Sequence, residues 1–316
     1  MSGKRITAID SLKGAAIITV VLIHIFRDDS LLGLMLGEFG RWCVPAFFII
    51  QGYFLKRSIL SPFADYVLKK IKRIYLPFLI WSVIYGIYFW LVDKQPFTLS
   101  DILLGKTAVH LYFTVYYMLF VLLLPLLYRL PPKARHRCYW LMILSNFAVC
   151  FALELQRSYG IAFFTYSGIN PFKWWGFVAI GMLLGECENL DHYIREHRLK
   201  IAVVSAGLAV LGGVLPFLTG TLGYMYNRWT LFPLAIGGTF SLAAYFTKEG
   251  VPGREVLAKI GRGSFCIYLS HFLVVHFLKY VLRIESLWVV SILTMVIFLI
   301  FVPREWLRED ISRGRA

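Results

Sequence analysis

The sequence predicts an all-α integral membrane protein of about ten transmembrane helices, with both termini cytoplasmic. Three observations carry this. Of 316 residues, 59% are hydrophobic and 16% charged, with a mean hydropathy of +0.68; soluble domains carry about 25% charged residues. Apolar stretches long enough to cross a bilayer recur from end to end. The 33 Lys and Arg residues fall mostly in alternate connecting segments, the asymmetry that sets orientation.

The stretches are taken in order. The first, 8–27, has polar groups at its start and no small-residue cleavage site, so it is expected to stay as an anchor rather than be removed as a signal peptide. The second, 42–60, ends in Lys56-Arg57. The third, 74–92, follows Lys69, Lys70, Lys72 and Arg73. The fourth, 109–129, opens at His110, and the fifth, 138–155, follows Lys133, Arg135 and Arg137. The sixth, 173–187, is short, and the seventh, 200–219, contains Gly207, Gly212-Gly213 and Pro216, which soften its edges. The eighth is 229–247, the ninth 263–282 behind Lys259 and Arg262, and the tenth 287–303 ahead of Arg304 and Arg308. With the N-terminus inside, the basic clusters all fall on one side, and an even number of crossings returns the C-terminus there.

The same distribution accounts for the formal net charge of +15: it is chiefly a topology signal, with anionic-lipid contact second. A nucleic-acid partner is excluded, because the basic residues sit in loop clusters at membrane edges and not on one face of a soluble module. The five cysteines, Cys43, Cys138, Cys150, Cys187 and Cys266, are scattered without C-x-x-C spacing and read as small buried hydrophobes. No metal site is indicated; His192 and His197 lie among charges on what reads as a solvated face. The chain, 1–316, is read as a single transmembrane domain. Segment 156–172, without hydrophobic continuity, reads as an outer lid or acceptor-contacting loop.

The first stretch holds the sharpest feature. Lys13 and His24 are eleven residues apart, almost three helical turns, so they share a face and are separated by roughly 16 Å along the axis. Asp10, Gly14, Ile17 and Val21 fall on or near that face. An ionisable residue in a membrane helix is costly and therefore a candidate functional group. Asp10 can pair with Lys13 three residues on, Lys13 can alternatively snorkel to the interface, and His24 can alternatively be a hydrogen-bonded structural histidine.

Ile9-Asp10-Ser11-Leu12-Lys13-Gly14, with His24 ten residues beyond Lys13, resembles the signature of bacterial membrane acyltransferase family 3, a basic residue followed at that interval by histidine. Pro45-Ala46-Phe47-Phe48-Ile49-Ile50-Gln51-Gly52-Tyr53-Phe54-Leu55 resembles the family's Phe-Phe-x-x-Ser-Gly-Phe segment. Lys72-Arg73 through Pro77 to Trp81 resembles the start of its third span, His110-Leu111-Tyr112-Phe113 its His-Leu-Trp-Phe, and Ser264 through Ile267-Tyr268-Leu269 to His271 its late Ser-x-x-Ile-Tyr-Leu-x-His. The matches come in family order and cover residues 9 to about 275. Lys13 stands where Arg is more frequent, Gln51 where Ser is, and Tyr112 where Trp is. Lysine is a point charge and cannot form a bidentate clamp. No fused extracytoplasmic domain of the kind some members carry is present in this sequence.

The resemblance implies a multi-pass bacterial inner-membrane O-acyltransferase. It would move an acyl group, usually acetyl, from cytoplasmic acyl-CoA to a hydroxyl of a surface polysaccharide or lipid-linked glycan, with no permanently bound cofactor. His24 is then the general base, with Lys13 and Asp10 charging and orienting the site. Arg73, His110, Ser264, Tyr268 and His271 are candidates for acyl-CoA or substrate binding. The residues suit that chemistry: an alcohol needs a base, and histidine titrates near neutrality, while an oxyanion and CoA phosphates need positive charge or donors. Ser264, Tyr268 and His271 share one face of the ninth stretch; Tyr268 and His271 equally suit packing of polar groups between helices. Tyr116, Tyr117, Trp174 and Trp175 read as interfacial aromatics rather than sugar platforms. Two other functions fit the composition: a transporter of a glycan or lipid-linked sugar, and an assembly subunit without chemistry. The first is disfavoured by the lack of paired Gly/Pro interruptions in corresponding halves, the second by the aligned polar face. The acceptor, the acyl length and the oligomeric state are not encoded in any of these signals.

Overall fold

The computed structural model describes residues 6–26, 30–58, 62–161 and 170–301, and these hold helices and no strand. In chain order the helices are α1 (Thr7–Ile25), α2 (Leu31–Phe39), α3 (Cys43–Ser58), α4 (Phe63–Lys70), α5 (Leu76–Asp93), α6 (Leu99–Leu103), α7 (Tyr112–Leu123), α8 (Pro132–Tyr159), α9 (Trp175–Glu186), α10 (Leu190–Glu196), α11 (Arg198–Thr219), α12 (Leu231–Thr247), α13 (Arg254–Arg262), α14 (Ser264–His276) and α15 (Leu287–Phe301). Tight 3-10 turns continue α2 into α3 (Gly40–Trp42) and extend α7 (Leu124–Arg129); π-turns join α4 to α5 (Ile71–Tyr75) and extend α14 (Phe277–Val281).

Among the described residues, seven helical runs are long and apolar enough to cross a membrane: Thr7–Ile25, Leu31–Lys56, Phe63–Asp93, Tyr112–Arg129, Pro132–Tyr159, Arg198–Thr219 and Ser264–Val281. The other three expected stretches are apolar helices of lesser length, Trp175–Glu186, Leu231–Thr247 and Leu287–Phe298. The 12 residues of α9 rise only about 18 Å against a hydrocarbon core of about 30 Å. Three boundaries differ from expectation. The second run starts at Leu31, because Ser30 caps α2 by accepting the Gly33 amide at 3.0 Å, and the 3-10 turn then carries the helix onward. The third starts at Phe63, so Lys69 to Arg73 lie within the helical run and not ahead of it. The fourth starts at Tyr112, which leaves His110 in the turn before the helix. In the exposed connection after α5, Thr98 and Asp101 form a capping box, and the Thr98 hydroxyl and amide hold the Asp101 carboxyl below its usual range.

The chain divides into two compact units: residues 1–47, 189–226 and 230–316 form one, and 48–188 with 227–229 form the other. In the first unit, α1 packs against α12, α13 and α14. Its buried side carries Asp10, Gly14, Ile17, Val21 and Ile25, so the face that bears the ionisable residues is the face turned into the protein. Small residues let the α13 backbone come close: a Cβ at Gly14 would overlap the Leu257 carbonyl, and one at Gly261 would overlap the Asp10 carbonyl. Such contacts serve helix association in lipid, where hydrophobic burial gives no drive. The Ser11 hydroxyl adds a bond to the Arg254 carbonyl at 2.9 Å. Gly14→Val is therefore expected to destabilise by about 1–3 kcal/mol, the usual cost of overpacking; thermal unfolding of the purified protein in detergent measures it, and an unchanged Tm contradicts the packing.

The second unit is organised on aromatic side chains. Phe48 is fully buried, with ring centroids 4.7 Å from Phe113, 5.2 Å from Trp174 and 5.6 Å from Phe120. Gly52 seats α3 on the Val178 carbonyl of α9, a packing role for the glycine of the Phe-Phe-x-x-Ser-Gly-like segment. Trp174 and Tyr116, expected at the membrane interface, are buried in this cluster; each is large and apolar enough to serve either place, and the stacking contact with Tyr112 at 6.0 Å draws Trp174 inward.

Candidate active site

Six of the eight residues singled out in the sequence lie in the first unit. Asp10, Lys13 and His24 are on α1; Ser264, Tyr268 and His271 are on α14. At the N-terminal end of α1, the Lys13 ammonium donates to Asp10 Oδ1 at 2.8 Å, with Asp10 buried and Lys13 a quarter exposed. At the other end, the His24 and His271 rings lie with centroids 5.1 Å apart and tilted by 49°. Phe272 closes on His24 edge-to-face at 5.3 Å. The segment α13–Gly263–α14 thus serves α1 at both ends, α13 against Asp10 and Gly14 and α14 against His24.

His271 is fully buried. Its Nδ1 lies 2.8 Å from the Tyr268 carbonyl and 3.2 Å from the Ile267 carbonyl. Carbonyls only accept, so the proton of a neutral ring sits on Nδ1 and Nε2 presents a lone pair. The backbone thereby fixes both the tautomer and the ring orientation, as outer partners do for functional histidines generally. Tyr268 stacks with Phe265 and sits 6.4 Å from the His271 ring. Ser264 starts α14 and is buried, seven residues from His271 and about 10 Å from it along the axis.

Arg73 and His110 lie in the second unit. Arg73 is exposed on the π-turn between α4 and α5. His110 is buried with its ring edge-on to Tyr85 at 5.1 Å. Gln51, at the position of the segment's serine, is buried and donates to the Tyr117 carbonyl at 3.0 Å; Lys70 donates to the Tyr117 hydroxyl at 3.3 Å. Residues 162–169 of the expected lid lie outside the described residues.

With this geometry in view, the profile of the acyltransferase 3 acyltransferase domain matches residues 6–303, almost the whole chain and every site residue above. The chain belongs to the acyltransferase 3 family. No curated protein and no solved structure matches it. As a membrane acyltransferase of this family, it carries features that sequence reasoning passed over. Glu186, at the end of α9, accepts from Arg135 through both carboxylate oxygens at 2.9 and 3.1 Å, from the Tyr139 hydroxyl at 2.8 Å, and lies 2.9 Å from His136 Nε2. This bidentate cluster ties α8 to α9. Glu154 accepts the Trp229 amide at 3.0 Å, next to the fully buried Arg228. Lys279, counted in the sequence only as an outer charge, donates to the Ile25 carbonyl at 3.0 Å. No spacing rule reaches these pairs, whose members are far apart in the chain. Among the described residues, no three His, Cys, Asp or Glu side chains are grouped as a metal would need.

Proposed function

We propose that this family 3 acyltransferase is an inner-membrane O-acyltransferase that moves an acetyl group from cytoplasmic acyl-CoA to a hydroxyl of a surface polysaccharide or lipid-linked glycan. It would cross the bilayer ten times, with both termini inside. The observation that carries the reading is the imidazole pair His24–His271, joined along α1 to the Asp10–Lys13 pair. The three helices of sub-spanning length cross as part of the bundle in this reading, and the Lys/Arg asymmetry supplies the orientation.

In the proposed reaction the acceptor oxygen attacks the thioester carbonyl while His24 takes the hydroxyl proton, since an alcohol's own pKa is far too high for spontaneous ionisation. The tetrahedral oxyanion collapses with cleavage of the C–S bond, and the His24 imidazolium returns the proton to the departing CoA sulfur. His271 keeps its proton on Nδ1 through the backbone carbonyls and presents Nε2 toward the neighbourhood of His24, which suits orienting the base. Lys13 supplies positive charge on the donor side, held by Asp10. Arg73, exposed beside Lys72 on the π-turn, offers charge for the CoA phosphates.

Sidedness tests this. Sealed inside-out vesicles given radiolabelled acetyl-CoA are expected to label glycan, and sealed right-side-out preparations are not. Equal labelling from both sides overturns the orientation or the donor.

A further inference from the structure

We propose that Lys279 is a positioning residue for the His24 imidazole; the inference rests on the acyltransferase reading above. His24 stands in the last turn of α1, one residue before Ile25. The last four carbonyls of a helix have no partner within it. Phe26 N satisfies the Leu22 carbonyl at 2.9 Å, and the Lys279 ammonium satisfies that of Ile25 at 3.0 Å. Ile25 is fully buried, so water is a poor substitute for the amine, and a buried carbonyl that loses its donor carries the full desolvation cost. A cation at a helix C-terminus also meets the negative end of the helix dipole.

The placement of Lys279 ties this cap to the ring contacts. Phe272 touches His24, and Lys279 follows it by seven residues, close to two turns, so both lie on one face of the α14 run. Lys279 sits in the π-turn Phe277–Val281, a wider winding often found where a side chain has to be aimed. The α14 run therefore holds the end of α1 at two levels: His271 and Phe272 against the imidazole, and Lys279 on the next carbonyl. A separate apolar anchor lies just beyond, with Phe26 edge-on to Trp288 at 5.2 Å. Loss of the ammonium then leaves α1 packed while its last turn frays, and the base shifts relative to the hydroxyl it serves.

The test uses detergent-permeabilised membranes, so that sidedness plays no part, with radiolabelled acetyl-CoA as donor, the membranes' own glycan as acceptor, and rates normalised to protein amount. Lys279→Met is expected to lower the maximal rate about 10–100-fold, the usual effect of misplacing a reacting group by an ångström or less, with the apparent KM for acetyl-CoA within about twofold. Lys279→Arg retains charge and donor and is expected to recover to within about fivefold of wild type. Lys279→Gln, a neutral donor, is expected to fall between. Wild-type membranes that label no glycan overturn the acyltransferase reading and this inference with it. Labelling by wild type with Lys279→Met above half its rate overturns the positioning role alone. The same follows if KM rises in step with the rate loss, if Arg rescues no better than Met, or if none of the three variants accumulates.

Discussion

His24→Ala is expected to insert and accumulate normally yet lose about 10²–10⁴-fold in transfer rate, the range a general base contributes. The side chain is half-buried, and the deepest packing of α1 comes from Ile17, Val21 and Ile25, so truncation at 24 removes the imidazole without removing the core. The loss should appear in kcat and in kcat/KM equally, because the proton moves only in the transition state. A variant that keeps more than about a tenth of the wild-type rate contradicts the role, since no general base is worth so little. Measurement of initial rates over a range of acetyl-CoA concentrations decides it.

Lys13 is the second large effect. Lys13→Met keeps most of the stem but removes the ammonium 2.8 Å from Asp10, whose carboxyl is only 4% exposed. A buried carboxylate without its partner is destabilising, so both Tm and transfer should fall, the latter by about 10²-fold if the charge faces the developing oxyanion. Lys13→Arg preserves the charge and is expected to stay substantially active. The double variant Asp10→Asn with Lys13→Met separates the two consequences: removal of both charges should restore the Tm lost in the single variant without restoring transfer. Recovery of both together would make Lys13 purely structural.

How much of this was legible in the sequence follows from range along the chain. The α1 face was readable because its residues recur at helical spacing: Asp10, Gly14, Ile17 and Val21 are all buried. The resemblance in motif order pointed to the family that the domain match shows. Helix existence was readable from apolar runs, whereas the starts at Leu31 and Phe63 were not, because a serine cap and a π-turn extend helix past the apolar run itself. The meeting of His24 with His271 joins residues 247 positions apart, shown by their numbers, and the Arg135–Glu186 clamp closes across 51. Only tertiary packing creates such pairs. Trp174 was misplaced at the interface because a tryptophan near a span end suits interface and core alike, and the Phe48 cluster decides between them.

The central claim is that the chain modifies glycan rather than moving it. The most direct measurement is the acyl-to-sugar ratio of surface glycan, by mass spectrometry, from cells lacking the gene and complemented either with wild type or with His24→Ala at matched protein level. The acyltransferase reading predicts a high ratio for wild type and a ratio near that of the uncomplemented cells for His24→Ala, with total sugar unchanged. An unchanged ratio with less total sugar would contradict it and point to transport.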